Sequence, residues 1–311
     1  MKRGLIAIGM MAATVLASAQ ASADLIIHEG FNYADGATSA DPDGGANGGN
    51  GLPASGVATP STGLRGNWGA TTVVTNDGLT YASGANQLAS AGNAATHNGT
   101  NFGPAVNVYR FLTPDPFLSY RRSANNANNF GAASATLYFS ALMQVPTGTT
   151  VDSNYSSRLV WGGGQNLFIG ASNGTGKWNV ADGTGGLANS SVNVVAGETV
   201  LLVGEMTYSA TGFSDVFKLW VNPTLGQALP ATPSATLNSG ATNSYQLGSL
   251  GLRTSAANNL IVDELRLGTM AADVMPVAPV PEPTSVVALL AVGGLGLMAR
   301  RRQASLIGVL R

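Results

Sequence analysis

The sequence predicts an all-β fold, an antiparallel β-sandwich, with a helix expected only at each end of the chain. Between the two ends, no apolar stripe repeats at the helical period of about 3.6 residues. Short runs rich in β-branched and aromatic residues recur instead, and turn residues separate them. Several runs alternate apolar and polar residues, which is the pattern of a sheet that packs one face against a core.

The N-terminal segment, residues 1–23, has the pattern of a secretory signal peptide. The pair Lys2-Arg3 supplies a positive start, residues 5–16 form an apolar run, and Ala21-Ser22-Ala23 is a small-residue cleavage site. Ala17-Ser18-Ala19 is an alternative site. The predicted signal helix is therefore removed, and the body of the protein begins after it.

The body, residues 24–274, contains the candidate strands. They are residues 25–28, 71–75, 79–82, 106–112, 135–145, 158–161, 167–169, 177–180, 199–208, 215–221, 245–252 and 260–267. Turn signals lie between them, such as Asn76-Asp77-Gly78, Asn173-Gly174 and Asp182-Gly183. Two long segments rich in Gly, Asn, Ala and Pro, residues 34–66 and 83–103, predict extended surface loops.

Alternation within two late strands predicts which side chains are buried. In residues 216–221, Phe217 and Leu219 belong to an unbroken apolar face, whereas Lys218 interrupts the other face. We expect Phe217 and Leu219 to be buried and Lys218 to reach solvent. In residues 261–267, the face that carries Glu264 and Arg266 is mostly polar, and we expect it to be solvated.

Composition excludes several classes of protein. Charged residues make up 10% of the chain and the net charge is −1, so the sequence offers no basic surface for nucleic acid. The chain has no cysteine, so an exported form must rely on its core rather than on disulfides.

The C-terminal segment has three parts after a predicted linker, residues 275–280. Pro281-Glu282-Pro283 comes first, an apolar run over residues 284–299 follows, and Arg300-Arg301-Arg302 comes next. A helix over that run reaches about 24 Å, which is marginal against a hydrocarbon core of about 30 Å. The arginines favour the cytoplasmic side, which places residues 304–311 there and the body on the far side.

This arrangement resembles the PEP-CTERM sorting domain over residues 281–303. The resemblance implies an exported protein of a Gram-negative bacterium that crosses the inner membrane and meets it transiently. It also implies an exosortase-type membrane transpeptidase as a partner, and the cell surface or extracellular matrix as the destination. It does not indicate what the body binds there.

Three stretches of the body carry a second resemblance. They are similar to stretches of exported bacterial proteins with a laminin-G-like, concanavalin A-like jelly roll: Ile27-His28-Glu29-Gly30-Phe31-Asn32-Tyr33, Phe217-Lys218-Leu219-Trp220-Val221-Asn222-Pro223, and Ile261-Val262-Asp263-Glu264-Leu265-Arg266-Leu267-Gly268-Thr269 with Ala272-Asp273-Val274. The resemblance implies two antiparallel sheets packed face to face and, in many members, carbohydrate as the ligand.

Catalytic residues are not evident. The only histidines are His28 and His97, too few for an ordinary zinc site. The E-x-D-x-x-E pattern of jelly-roll glucanases does not occur, and the single G-x-S-x-G match, Gly170-Ala171-Ser172-Asn173-Gly174, lacks the following helix that a serine hydrolase needs after its nucleophile. Asp263 and Glu264 are adjacent, so in a regular strand they point to opposite faces and cannot form a glycosidase pair. We therefore expect no enzymatic activity.

Calcium is the only cofactor that the sequence suggests. Asp41 and Asp43 lie in Asp41-Pro42-Asp43-Gly44, and Asp152 begins Asp152-Ser153-Asn154, so these turns offer oxygen ligands. The same turn residues also occur for conformational reasons alone.

Tryptophans are the candidates for stacking on sugar rings. Trp68 and Trp178 lie beside Gly-rich turns and are the two candidates, whereas Trp161 and Trp220 end apolar strands and are expected in the core. Burial is the usual fate of tryptophan. The sequence thus favours a non-catalytic, carbohydrate-associating or structural β-sandwich, with exopolysaccharide as its candidate partner. The alternative is a degenerate or unrecognised polysaccharide hydrolase.

Overall fold

The computed structural model describes residues 25–32, 61–62, 64–65, 72–75, 77–90, 92–97, 110–112, 129–151, 155–163, 165–171, 174–211, 213–241, 243–254 and 259–278. The predicted signal peptide and the sorting segment lie outside these residues. So do Trp68, the calcium candidates Asp41, Asp43 and Asp152, and most of the predicted loop over residues 34–66.

The described residues form eighteen strands and one short helix. The elements are β1 (Leu25–Glu29), β2 (Ser61–Thr62), β3 (Leu64–Arg65), β4 (Thr72–Thr75), β5 (Ala82–Ser83), β6 (Asn86–Gln87), β7 (Ala94–His97), β8 (Arg110–Leu112), β9 (Thr136–Gln144), β10 (Ser157–Gly163), β11 (Leu167–Ala171), β12 (Lys177–Asp182), β13 (Leu187–Asn193), β14 (Thr199–Thr207), β15 (Val216–Val221), β16 (Ala235–Asn238), β17 (Leu247–Thr254), β18 (Ile261–Gly268) and α1 (Ala271–Val274).

These strands form two large antiparallel sheets and one hairpin. The nine-stranded sheet has the order β16-β15-β14-β9-β18-β1-β2, with β7 beside β18 and β4 beside β7. The seven-stranded sheet has the order β13-β12-β11-β10-β17-β8-β3, and β5 pairs with β6. All of these pairings are antiparallel. The predicted antiparallel β-sandwich is confirmed.

Aromatic side chains join the two sheets in the core. Trp161 of the seven-stranded sheet meets Phe139 of the nine-stranded sheet edge to face, with ring centroids 4.8 Å apart. The ring centroid of Trp161 also lies 6.1 Å from the ring centroid of Phe217. Phe217 and Leu219 are fully buried, and 38% of the Lys218 side chain is exposed. The facing predicted for β15 is therefore confirmed.

The outer face of the nine-stranded sheet is also partly covered. Side chains of β9 and β14 that point away from the core pack in a second apolar cluster with residues of the segment 77–94 and of the C-terminal end of the body. The buried members are Leu79, Leu88, Ala94, Leu142, Leu201, Val203, Leu225, Val274 and Met275. This third layer explains why β14 is apolar on both faces rather than alternating.

Two predicted irregular segments are ordered parts of this layer. The predicted loop over residues 83–103 contains β6 and β7 and the end of β5, so that prediction is wrong for these strands. The predicted linker is wrong for residues 275–278. There the carbonyl of Pro276 accepts from Ala89 N–H at 2.8 Å, and Ala278 N–H donates to Gln87 at 2.9 Å. We call residues 275–278 the docked segment.

Candidate functional site

Charged side chains gather where β1 lies beside β18. His28 is paired with Arg266, and Glu29 with Leu265, in an antiparallel register. These strands include parts of the first and last of the three stretches that carry the family resemblance. The resemblance therefore rests in part on residues that meet in space, although they are more than two hundred positions apart in the chain.

A β-bulge in β18 shapes this cluster. Asp263 lies opposite Leu142 and Arg266 lies opposite Ser140, so Glu264 and the residue after it share the space opposite one partner. Glu264 has a φ of 50°, in the left-handed region that non-glycine residues seldom adopt. The bulge brings the Asp263 and Glu264 carboxylates into one cluster. The expectation that they point to opposite faces is therefore wrong, because it assumed a regular strand.

Glu264 is held by two basic side chains. Its Oε2 accepts a hydrogen bond from Arg266 Nη2 and lies 2.8 Å from His28 Nε2. Arg266 Nη2 also donates to the carbonyl of Ala89 at 2.6 Å. Glu264 is fully buried and Arg266 is 7% exposed. The polar face of β18 is therefore covered, and the prediction that it is solvated is wrong.

Asp263 is a carboxyl group with a strongly perturbed pKa. Its Oδ2 accepts from the Leu79 N–H at 2.8 Å, and its Oδ1 accepts from the Glu264 N–H at 2.7 Å. Burial, with the nearby charges of Glu264 and Glu29, raises the pKa of Asp263 to about 8. The two hydrogen bonds act in the opposite direction and do not outweigh burial.

The chemistry open to this cluster is limited by access. Glu29, Asp263 and Glu264 are all buried, and Glu29 Oε1 accepts from the Phe31 N–H at 3.0 Å. His28, with 28% of its side chain exposed, is the most open of the group. A general acid or base must come within hydrogen-bond distance of the substrate. The described contacts of these carboxylates instead tie β1 and the segment 77–90 to β18.

Metal binding receives no support from this geometry. Among the described residues, no group of three or more His, Asp or Glu side chains is placed to hold a metal ion. His97 lies in β7, opposite Thr72 of β4, well apart in the chain from His28.

The sugar-stacking candidate Trp178 is fully buried in the core between the sheets. An indole in that position has no face to offer to a ligand, so the prediction for Trp178 is wrong. Trp161 and Trp220 are buried as expected.

A second group of polar residues lies on the outer face of the seven-stranded sheet. Arg158 of β10 is directly opposite Arg253 of β17, and both guanidinium groups lie over the ring of Phe168, at 5.2 and 5.6 Å from its centroid. Arg158 Nε donates to Ser156 Oγ at 2.9 Å. Burial, together with the charge of Arg253, lowers the pKa of Arg158 to about 10. We call Arg158 and Arg253 the arginine pair.

The register extends this pair into a row of residues across five strands. Arg158 is opposite Gly170, Gly170 is opposite Asn179, and Asn179 is opposite Asn189. We call the row from Arg253 to Asn189 the polar row. The adjoining row on the same face is apolar, and its members Val160, Phe168 and Ala181 are buried together. Sequence reasoning missed the polar row, because Arg158 and Arg253 are brought together only by strand register.

The C-terminal segment matches the family model of the PEP-CTERM protein-sorting motif over residues 279–302. The motif implies processing by exosortase and export across the inner membrane to the cell surface of Gram-negative bacteria. In the part of the chain that the structure describes, no helix has the length and apolar character needed to cross a membrane.

The chain aligns with several solved structures at low sequence identity. An endo-β-1,4-glucuronan lyase from the fungus Trichoderma reesei is 10% identical, with a TM-score of 0.37, over 65% of this chain and 92% of that chain. An endo-1,3-β-glucanase from Streptomyces sioyaensis is 10% identical, with a TM-score of 0.34, over 81% and 98%. A GH131 β-glucanase catalytic domain from Podospora anserina is 10% identical, with a TM-score of 0.35, over 65% and 80%.

A comparison with curated proteins found no match. The matched motif and the sheet topology together identify the chain as an exported protein in which an antiparallel β-sandwich body is followed by the PEP-CTERM sorting motif.

Proposed function

We propose that this protein is a non-catalytic component of the cell surface or extracellular matrix whose β-sandwich associates with exopolysaccharide. The observation that carries this proposal is the polar row on the outer face of the seven-stranded sheet. Arg158 and Arg253 are partly exposed at one end of the row and Asn189 is exposed at the other, so the two ends offer hydrogen-bonding groups to the hydroxyl-rich surface of a glycan. Gly170 and Asn179 between them are buried.

The absence of catalysis is part of the proposal. A glycosidase needs two carboxyl groups that flank the scissile bond and reach the substrate. The clustered carboxyls Glu29, Asp263 and Glu264 are buried, and their described contacts are with the body itself. These contacts support a role in folding rather than in chemistry.

A polysaccharide depolymerase is the second candidate, and one observation favours it. Asp263 has a pKa raised to about 8 by burial, in the same cluster as the partly exposed His28. Strongly perturbed carboxyl groups are more frequent at catalytic sites than elsewhere. A role for Asp263 in catalysis would require the segment around Leu79 to move away from it.

Affinity electrophoresis of the full chain, kept in a mild detergent, separates these functions. Gels would contain either a neutral β-glucan, a polyuronate or no polysaccharide, and the same mixtures would be assayed for new reducing ends and for unsaturated uronate products. We expect retarded migration in at least one polysaccharide and no new chain ends. Equal migration in all gels would leave only a structural role. New chain ends that are absent with an Asp263→Asn variant of unchanged far-ultraviolet circular dichroism would establish the depolymerase.

A further inference from the structure

The docked segment holds the chain directly in front of the sorting motif. Ala278 is the last residue that the structure describes, and the matched motif begins at the next position. Only three positions lead from Ala278 to Pro281. Because a fully extended chain advances at most about 3.6 Å per residue, Pro281 lies within about 11 Å of Ala278. The body and the motif therefore cannot move apart unless the docked segment detaches from the body.

The last three residues of the docked segment add a third strand to the hairpin of β5 and β6. Val277 is paired with Leu88, the residue that follows β6, in an antiparallel bridge. The two backbone hydrogen bonds of Pro276 and Ala278 lie on either side of this pair. Val277 and Leu88 are therefore a non-hydrogen-bonded pair, the type in which opposite residues come closest.

The docked segment is held unevenly along its length. Its start is buried, since Met275 is only 6% exposed and the carbonyl of the preceding Val274 accepts from the Ser140 hydroxyl at 2.6 Å. Its end, residues 276–278, is partly exposed and is joined to the hairpin by the two backbone hydrogen bonds and the bridge. A short strand at an exposed edge opens more readily than a buried core. Residues 276–278 can therefore detach while Val274 and Met275 stay in place.

Exosortase and the hairpin compete for the same stretch of chain. An enzyme that cuts a chain beside a folded domain acts on backbone that is free of the fold, so its rate follows the population of the opened form. The residues that immediately precede the motif are those of the docked segment, and their backbone groups are bonded to residues 87–89. The same groups cannot serve the hairpin and an enzyme at one time.

We propose that the docked segment controls the processing of the sorting motif, and that exosortase cuts the chain only after residues 276–278 have detached from the hairpin. The cut breaks one peptide bond near Pro281-Glu282-Pro283. The acyl group of the body passes to water or to an acceptor amine, whose proton goes to the new amino group of the departing apolar run. The stability of docking thus sets the rate of processing. This inference goes beyond the proposed association with polysaccharide and does not depend on it.

A reversible disulfide between Leu88→Cys and Val277→Cys tests the proposal within one chain. Opposite residues of a non-hydrogen-bonded pair have Cα atoms about 4.5 Å apart, and disulfides accept about 4.4–6.8 Å. The chain has no cysteine of its own, so no other disulfide can form within it. The bond locks residues 276–278 on the hairpin, and a reductant releases them.

The rate is measured by pulse labelling of the full chain in cells that contain exosortase, with and without dithiothreitol, and intact mass identifies the new end. The oxidised double variant should be processed at least about tenfold more slowly than its reduced form, because the disulfide removes the opened form. Wild type and Val277→Cys alone are the controls and should be processed alike under both conditions. An oxidised chain that is cut as fast as its reduced form would overturn the proposal.

Ala89→Pro weakens docking from the other partner, far from the motif in the sequence. It removes the N–H that donates to the carbonyl of Pro276. Processing should become about threefold to tenfold faster, which is the change in an opening equilibrium expected for one backbone hydrogen bond. Ala133→Pro is the matched control. Ala133 is exposed in a turn closed by the bond from Ala135 N–H to Ala132, a position that accepts proline, and its processing should equal that of wild type.

The two variants cover each other's failures. If Val277→Cys alone blocks processing, Ala89→Pro decides, and if the melting temperature shows that Ala89→Pro unfolds the body, the disulfide decides. An unchanged rate in a folded Ala89→Pro would overturn the proposal, and a slower rate would mean that docking presents the motif instead. A wild-type chain that keeps Arg311 would also overturn it, because there would be no cut to control, and would leave polysaccharide binding untouched.

Discussion

Leu79 donates its backbone N–H to Oδ2 of Asp263 at 2.8 Å, across 184 positions of the sequence. The bond joins the covering segment 77–90 to the strand that carries the β-bulge. Both residues are buried, so neither the N–H nor the carboxyl group can turn to water without local opening.

The titration of Asp263 makes the stability of the body depend on pH. Between pH 3.8 and about 8 the folded chain keeps a proton on Asp263 that the unfolded chain has lost, so a rise in pH favours unfolding. Stability from this group is greatest near the acid end of that window and is lost as the pH rises through it. The slope is at most about 1.4 kcal/mol per pH unit.

The measurement is urea denaturation of wild type and Asp263→Asn from pH 4 to pH 9. At acid pH the variant should be the less stable chain, because an amide group replaces one of two oxygens that accept backbone N–H groups. The stability advantage of wild type should shrink as the pH rises to about 8. An advantage that grows with pH would show that the carboxylate, not the acid, is the folded form.

Asp182 should behave in the opposite way and stabilise the body as an anion. Burial opposes its charge, but hydrogen bonds from Gly186, Thr184 and Tyr245 together lower the pKa of Asp182 below 3.8. The stability that it contributes is therefore present above pH 3.8 and is lost as the pH falls through the lowered value.

Tyr245 is the member of that network that can be removed most cleanly. Its hydroxyl donates to Asp182 Oδ2 at 3.1 Å in a buried position. Tyr245→Phe should cost about 1.5–3 kcal/mol at neutral pH, since the acceptor is ionised. Tyr81→Phe is the matched control, because its hydroxyl donates to the neutral carbonyl of Pro223 at 3.2 Å and should cost about 0.5–1.5 kcal/mol. Equal costs by chemical denaturation would contradict an ionised Asp182.

Sequence patterns were sufficient where strands are regular. The alternation in β15 predicted the buried side chains correctly because β15 pairs with β14 without a register shift. The same reasoning gave the wrong result in β18, because the bulge between Asp263 and Arg266 changes the alternation midway. Nothing in the sequence around Glu264 signals that bulge. The covering segment 77–90 was unpredictable for another reason: its partners lie far along the chain.

Gly204 should tolerate no side chain, because Phe217 occupies the space. A Cβ added at Gly204 would lie 2.4 Å from Cζ of Phe217, whose ring is fully buried against Trp161. Gly204→Ala should therefore destabilise the body by about 1–3 kcal/mol. Gly183→Ala, whose nearest contact would be an ordinary 3.8 Å, is the control and should be near neutral.

The double variant Gly204→Ala with Phe217→Leu identifies the clash as the cause. The smaller side chain of Phe217→Leu makes room for the added methyl group. The double variant should therefore be destabilised by less than the sum of the destabilisations of the two single variants. Strict additivity in denaturant unfolding would mean that Gly204→Ala acts through the backbone instead.

Processing of the sorting motif predicts the composition of the mature chain. Exosortase handling of residues 279–302 should remove the apolar run, so intact mass spectrometry of the cell-surface protein should find an end near Pro281-Glu282-Pro283. Replacing Arg300-Arg301-Arg302 by glutamine should reduce this processing. A surface form that still ends in Arg311 would mean that the segment is retained as an anchor.

The docked segment extends the folded body beyond Val274, at least to Ala278. Two backbone hydrogen bonds hold residues 275–278 against residues 87–89, and Met275 is only 6% exposed. We compare two shortened chains, both without the sorting motif, one ending at Val274 and the other at Ala278. The shorter chain loses one buried methionine and both hydrogen bonds. It should be less stable by about 3 kcal/mol or more, with a lower urea midpoint and a smaller dependence on denaturant. Identical unfolding curves for the two shortened chains would mean that residues 275–278 do not stabilise the body and act only as a linker.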